Sequence, residues 1–207
     1  KKTIRKRHEN HHCHRLQRRR WQSTTAFHVA TYFSEKGKTL LVDGDQNRTA
    51  LKWAGRAQIE LPFSVSDERQ SMKLVSGMDF IVIDTPARPN TDDLKELAKG
   101  CDLLILPTAP DVLSLEPMLD TARDLGKANY RALITIVPPL PSKEGELMRA
   151  DLKEAGVPVF ETMIRRTTGF PKAALAGIPI KDSADPRAKA AWEDYFLLGN
   201  EIEELIK

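Results

Sequence analysis

Phe80-Ile81-Val82-Ile83-Asp84-Thr85-Pro86 sets four consecutive apolar residues in front of a carboxylate, a hydroxyl and a proline. An apolar run of that length, stopped by turn residues, reads as a strand buried on both faces, the mark of a parallel sheet. The same grammar recurs around it. Thr39-Leu40-Leu41-Val42 runs into Asp43-Gly44-Asp45-Gln46-Asn47, and Leu103-Leu104-Ile105-Leu106 into Pro107-Thr108-Ala109-Pro110-Asp111. Ala132-Leu133-Ile134-Thr135-Ile136-Val137 stops at Pro138-Pro139, and Val157-Pro158-Val159-Phe160 supplies a short fifth strand. Helical periods separate these runs, over residues 23–36, 91–99, 113–125, 145–155 and 185–206. The first opens on a Ser/Thr cluster able to cap it and closes at Gly37. The fold class that follows is α/β, with a central, mostly parallel sheet and helices on both faces.

A chain of 207 residues holds one such domain rather than two, and 41% apolar with 29% charged residues is an ordinary globular balance. No apolar run reaches the ~18–20 residues that a bilayer-spanning helix needs. The basic start has no apolar stretch behind it of the kind a secretory leader carries. Cys13 and Cys101 cannot build a disulfide framework, so a reducing cytoplasm is expected. The net charge of +3 hides an asymmetry: residues 1–22 carry nine Lys/Arg against Glu9 alone, +8, which leaves −5 for the rest. The chain therefore divides into an aberrant basic segment, 1–22, and a domain, 23–207. His11-His12-Cys13-His14 is not read as a zinc site, because adjacent side chains cannot all face one ion.

In a parallel α/β sheet, ligands bind beyond the carboxyl ends of the strands. There the sequence places Asp43, Asp45 and Asp84, with Ser23-Thr24-Thr25 opening a helix. Hard oxygen donors of this kind suit Mg²⁺, which keeps most of its waters and takes a hydroxyl and phosphate oxygens. The phosphate cradle itself is missing. A P-loop needs glycines, so that successive N–H groups turn toward the phosphates, and a lysine before Ser/Thr. Gln17-Arg18-Arg19-Arg20-Trp21-Gln22 stands there instead, and no glycine occurs before Gly37.

From Ser23 onward the chain resembles the ParA/MinD family of deviant Walker A ATPases, in particular ParA-type partition proteins. Ser23-Thr24-Thr25-Ala26, Leu41-Val42-Asp43-Gly44-Asp45, the 80–86 run, Cys101-Asp102-Leu103-Leu104-Ile105-Leu106-Pro107 and Phe160-Glu161-Thr162-Met163-Ile164-Arg165-Arg166 match in order and spacing. The resemblance implies a P-loop NTPase-like fold, ATP and Mg²⁺ as cofactors, and an ATP-dependent homodimer. It also implies binding to non-specific DNA and a ParB-like or cargo-adaptor partner that stimulates hydrolysis, in the nucleoid of the cytoplasm. Residue by residue, it implies Ser23 as the Mg²⁺ hydroxyl, Thr24 and Thr25 at the phosphates, and Asp84, followed by Thr85, holding Mg²⁺ through water. Asp45 would orient the attacking water, Asp43 would secure the loop, and Pro138 would border the adenine. Gln17, Arg18, Arg19, Arg20, Trp21 and Gln22 occupy the Walker A positions. Arg165, Arg166, Lys172, Arg187 and Lys189 are the cations expected to meet DNA phosphates. The C-terminal helix is acidic (Glu201, Glu203, Glu204) and would be repelled by anionic lipid, so no membrane partner is expected.

The genetic code accounts for the departure. Read one nucleotide later, the Trp21 codon becomes glycine whatever base follows. Gln17 and Gln22 permit lysine, Arg18 and Arg19 permit glycine, and Arg20 permits valine or glycine. Asn10, His11 and His12 each permit isoleucine or threonine, Cys13 and His14 permit alanine and isoleucine, and His8 permits methionine. The displaced reading can thus run from Met through an apolar strand into Lys-Gly-Gly-Val-Gly-Lys, directly ahead of Ser23. Residues from about 5 to 22 read as a frame-shifted first strand and Walker A loop. The alternative is a nucleotide-blind, non-catalytic DNA-binding protein of the same fold, with a genuine basic arm.

Overall fold

The structure, a computed structural model, describes residues 10–85 and 91–207, with side chains from Trp21 onward. Helix α1 spans Asn10–Ser34 and β1 Thr39–Asp43; α2 (Thr49–Ala54), β2 (Ser64–Asp67) and α3 (Glu68–Leu74) follow. Then come β3 (Phe80–Asp84), α4 (Thr91–Gly100), β4 (Leu104–Thr108), α5 (Val112–Leu125) and β5 (Tyr130–Ile134). Helices α6 (Glu144–Glu154), α7 (Gly169–Ala176) and α8 (Ala188–Leu205) close the chain, with a 3-10 turn at Ile180–Asp182 before the last.

All strand pairs are parallel, as the unbroken apolar runs require, but they form two sheets among the described residues: β2-β1-β3 and β4-β5. The expected fifth strand, 157–160, contributes only an isolated bridge, Ala132 to Val159, because Pro158 and the turns around it break a regular ladder; a second isolated bridge joins Val137 to Arg165. The apolar stretch predicted over 132–137 ends as a strand at Ile134, since Ile136 takes φ 56°. Strand β2 and helices α2, α3 and α7 escape sequence reading, being four to eight residues long with weak periodicity.

Two cores flank the strands. One gathers α1, α7 and α8 over one face, around Phe27, Trp53, Phe160, Phe170 and Tyr195, and receives Phe80 and Val82 from β3 and Ile105 from β4. The other packs α4, α5 and α6 against Leu104 and Leu106 of β4 and Ala132 and Ile134 of β5. Helices α1 and α8 approach closely at Gly199, where a Cβ would lie 2.4 Å from the Tyr32 ring, so only glycine fits. No helix of the described residues is long and apolar enough to cross a membrane.

The helix expected to begin at Ser23 requires correction. Helix α1 runs without a break from Asn10, so Ser23, Thr24 and Thr25 lie inside it rather than at its N-terminus. No glycine or proline precedes Gly37, and Arg, Gln and Leu are strong helix formers, so nothing in 10–22 stops the helix.

Candidate functional site

The register of β1 on β3 sets Asp43 opposite Asp84, so the acids that end the two strands stand side by side at the carboxyl edge. The chain then turns tightly through Gly44, whose N–H donates to the Asp84 carbonyl at 2.8 Å. A Cβ on Gly44 would sit 3.0 Å from that oxygen, hence a glycine here. Asp43 holds the loop together: its Oδ1 accepts from the Asp45 N–H (3.1 Å) and its Oδ2 from the Leu51 N–H (2.9 Å). Among the described residues the Asp45 carboxylate is committed only to Asn47, whose Nδ2 donates to Oδ2 at 3.1 Å.

Ser23 reaches this corner from α1 and hydrogen-bonds the Asp84 carboxyl. Ser23, Asp43, Asp45 and Asp84 are all buried. Burial pushes the Asp84 carboxyl up to about 7; the Ser23 hydrogen bond opposes the shift, and the charges of Asp43 and Asp45 add to it. Its Oδ2 is buried with no hydrogen-bond partner among the described residues. Buried polar atoms are almost always paired, so an orphaned carboxylate oxygen beside a serine hydroxyl marks a place for a ligand.

Two residues not singled out in the sequence fasten the corner. Arg48, at φ 50°, donates through its guanidinium to the Asp43 carbonyl and to Glu68 Oε2, the latter at 2.7 Å. That contact holds the Glu68 carboxyl below its usual range. Twenty residues separate this pair, and no local signal announces it.

The remaining expected site residues lie as follows. Thr25 turns into the core, its Oγ1 3.3 Å from the Tyr195 hydroxyl. Thr24 is buried, and its carbonyl takes the His28 Nδ1–H at 2.7 Å. Thr85 follows Asp84, half-buried, and Pro138 lies half-buried beyond the end of β5. Trp21 and Gln22 are half-buried, the Trp21 ring edge-on to Phe170 at 5.6 Å. The side chains of Gln17, Arg18, Arg19 and Arg20 lie outside the described residues. Arg165 is bound to Asp194, with Nε–Oδ2 at 2.7 Å and Nη2–Oδ1 at 2.6 Å. Lys172 pairs with Asp185 at 2.7 Å, and Arg187 donates to Thr168 Oγ1 at 2.8 Å. Arg166 and Lys189 are exposed. The C-terminal acids have structural work: Glu201 accepts from the N–H groups of Glu161 and Thr162, and Glu203 pairs with Lys36.

Strand-tip acids beside a helix-borne serine at the carboxyl edge of a parallel sheet fit the class that the fold defines, an α/β protein of the P-loop NTPase type. No family model matches the chain. It is 30% identical over 190 residues, 88% of each chain, to maintenance of carboxysome distribution protein A of Gloeobacter kilaueensis. A protein of the same description from Halothiobacillus neapolitanus is 24% identical over 195 residues, covering 87% of this chain and 90% of the relative. Among solved structures, apo McdA of Cyanothece superposes with TM-score 0.66 over 90% of this chain and 94% of its own, at 15% identity. The septum site-determining protein MinD with Mg-ADP from Pyrococcus horikoshii does so with TM-score 0.63, over 89% and 91%, at 18% identity. The chain belongs to the ParA/MinD family of ATPases, together with the carboxysome distribution proteins A.

The residues present fit one half of a magnesium-nucleotide site. A hydroxyl, a carboxylate with an unpaired oxygen and two further acids are all hard oxygen donors. Among the described residues no cluster of three or more ligating side chains exists; Mg²⁺ needs none when waters and phosphates complete its shell. The triphosphate finds no cradle. Inside a continuous helix each N–H is already bonded to the carbonyl four residues back, so those of Ser23, Thr24 and Thr25 are not available to phosphate.

Proposed function

We propose that this chain is the ATPase of a cargo-positioning system of the ParA kind, and that its nucleotide site is complete only when the displaced reading of residues 5–22 supplies the Walker A loop. The observation that carries this is the convergence of Ser23, Asp43, Asp45 and Asp84 on one buried corner where an Asp84 oxygen lacks a partner among the described residues. In the restored chain Ser23 and Asp84 hold Mg²⁺, Thr24 and Thr25 lie near the phosphates, Asp45 orients the attacking water and Pro138 borders the base. Phosphoryl transfer at such a site rests on positioning and charge neutralisation. The ATP-bound form is a homodimer in the cytoplasm, on the nucleoid, and a ParB-like or cargo-adaptor protein stimulates hydrolysis. Relatives named for carboxysome distribution favour a protein-shell cargo over a plasmid or chromosome. Non-specific DNA is held through Arg166, Arg187 and Lys189; Arg165 and Lys172 contribute less, because Asp194 and Asp185 neutralise them.

The unbroken α1 favours a second reading for the chain as it stands: a nucleotide-blind member of the fold that binds DNA without hydrolysis. Titration with ATP and Mg²⁺ separates the two. The restored chain is expected to bind ATP at micromolar concentration and hydrolyse it slowly, and the chain as it stands to bind none. Micromolar binding by the latter overturns this account of the defect. In the restored chain Asp45→Ala is expected to abolish hydrolysis and keep ATP binding; loss of both makes Asp45 structural.

A further inference from the structure

Away from the Asp84 corner, α1 helps to enclose a cavity of about 300 Å³ between itself, α2 and α7. Trp21 comes to it from α1, Trp53 from α2, and Phe170 and Leu175 from α7. Trp53 and Phe170 are buried and make its floor, whereas Leu175 is exposed at its rim. Trp21 is half-buried, its ring edge-on to Phe170 at 5.6 Å. Arg56, two residues beyond α2, is the one charged side chain among the described residues that line the cavity. Its Nε–H donates to the Ala174 carbonyl at 2.8 Å, and the Trp53 Nε1–H donates to the Ile178 carbonyl at 3.2 Å. Those two bonds tie α2 and its exit to the α7 segment. Arg48 and Arg165 each meet an acid, Glu68 and Asp194. Among the described residues, by contrast, no acid pairs with Arg56 and its Nη groups have no acceptor. Ser23, Asp43, Asp45, Asp84 and Pro138 do not line this cavity, so it is separate from the strand-tip acids and from the position expected to border a base.

We infer that the cavity binds a small planar aromatic carboxylate, its ring among Trp21, Trp53 and Phe170 and its acid group on Arg56. The volume lies at the lower end of small-molecule pockets, ~300–1,000 Å³, which is room for a bicyclic ring with one acid group. Aromatic walls favour a flat ring, through edge and face contacts that an aliphatic chain cannot make. The charge of the ligand follows from Arg56. A guanidinium presents paired N–H groups that match a carboxylate, and with Nε already fastened the two Nη atoms remain for a bidentate pair. Because that bond holds the guanidinium before a ligand arrives, little side-chain freedom is lost on binding. No acid on the wall answers Arg56, so a cationic ligand is excluded by the same charge. With Trp21 as one wall, the cavity belongs to the chain as it stands and is independent of the nucleotide reading.

The three tryptophans provide the test, since the indole N–H groups of Trp21, Trp53 and Trp192 give separate nitrogen-15 resonances. Trp192 does not line the cavity; its ring lies under Lys181, with Nζ 5.5 Å from the centroid. Titration of the labelled chain with 2-naphthoate is expected to shift Trp21 and Trp53 saturably and to leave Trp192 in place, with a dissociation constant below about 1 mM. The uncharged 2-naphthylmethanol should bind at least tenfold more weakly, and Arg56→Gln should remove that difference. An unmoved Trp192 resonance in the variant shows that it is folded. Trp21→Ala should weaken naphthoate at least fivefold by removing a wall. Absence of saturation, equal binding of acid and alcohol, or a common shift of all three indoles overturns the inference. So does displacement of naphthoate by ATP with Mg²⁺, which would make the cavity part of a nucleotide site. Naphthoate bound by a chain that takes no ATP upholds the cavity.

Discussion

His28, on α1, and Asp84, at the tip of β3, are both buried ionisable groups, and the molecule handles them in opposite ways. The His28 ring is fully used: Nδ1–H donates to the Thr24 carbonyl at 2.7 Å, Nε2 accepts the Ile180 N–H at 3.0 Å, and the face stacks on Tyr195 at 4.7 Å. These bonds require the neutral ring with its proton on Nδ1. Burial drives its ionisation down to about 4. Asp84 holds its proton up to near-neutral pH, with ionisation near 7, but one of its oxygens has no partner among the described residues. A core closes around its polar groups; a site leaves one unanswered. The contrast separates the structural end of α1 from its chemical end, only five residues apart.

The largest change expected is His28→Leu. It strands the Ile180 N–H in the interior and removes the stack on Tyr195, and a buried donor left unpaired adds its full desolvation cost. Urea unfolding should show a loss of about 3 kcal/mol. A loss below about 1 kcal/mol would mean that water or a shifted backbone replaces the ring, and the core would then be no more closed than the site.

Asp84→Asn should move stability the other way. Asp84 holds its proton more tightly folded (about 7) than unfolded (3.8), so the stability it contributes is complete below about pH 4 and lost as pH rises through 7. At pH 8 the neutral amide is expected to raise stability by about 2 kcal/mol, with almost no effect at pH 4. His28 has the opposite sign: its folded value of about 4 lies below the unfolded 6.5, so its contribution is present above 6.5 and lost as pH falls through 4. Between pH 5 and 6.5 the two slopes, each about 1.4 kcal/mol per pH unit at most, nearly cancel. The unsubstituted chain should therefore be flat across that window. Asp84→Asn should unmask a rise with pH and His28→Gln a fall. Flat profiles in both variants would show that neither group is held as the geometry requires.

The strands were legible because burial on both faces leaves unbroken apolar runs, and the acids at their tips because a buried run ending on Asp needs a reason. Phe80 through Asp84 is both. The site corner was legible through three short pieces that register then joined, Asp43 against Asp84 with Ser23 above them. His28 was not, since a histidine inside an amphipathic period gives no sign of which carbonyl and which amide it will bridge. Nor was the Arg48–Glu68 clasp, or the use of Glu201 to hold the 161–162 turn, because such contacts span 20 to 40 residues and depend on packing alone. The reading of Ser23 as a helix start failed for a different reason: helix initiation there depends on the residues before it, and those residues are helix formers.

The smallest effects divide the two acids of the turn after β1, and they carry the core–site contrast down to a single loop. Asp43 is spent on structure: both oxygens take backbone N–H groups, from Asp45 and Leu51, and Asp43→Asn replaces one acceptor with a donor facing a donor. That should cost about 1–1.5 kcal/mol in urea unfolding. Among the described residues the Asp45 carboxylate makes one hydrogen bond, with Asn47, on a loop whose backbone Asp43 already holds. Asp45→Asn should therefore change stability by less than about 0.5 kcal/mol. Equal costs would put Asp45 among the groups that hold the fold. An unequal pair, with Asp43 the dearer, leaves the Asp45 carboxylate buried at the sheet edge with little structural duty, as a group kept for chemistry should be.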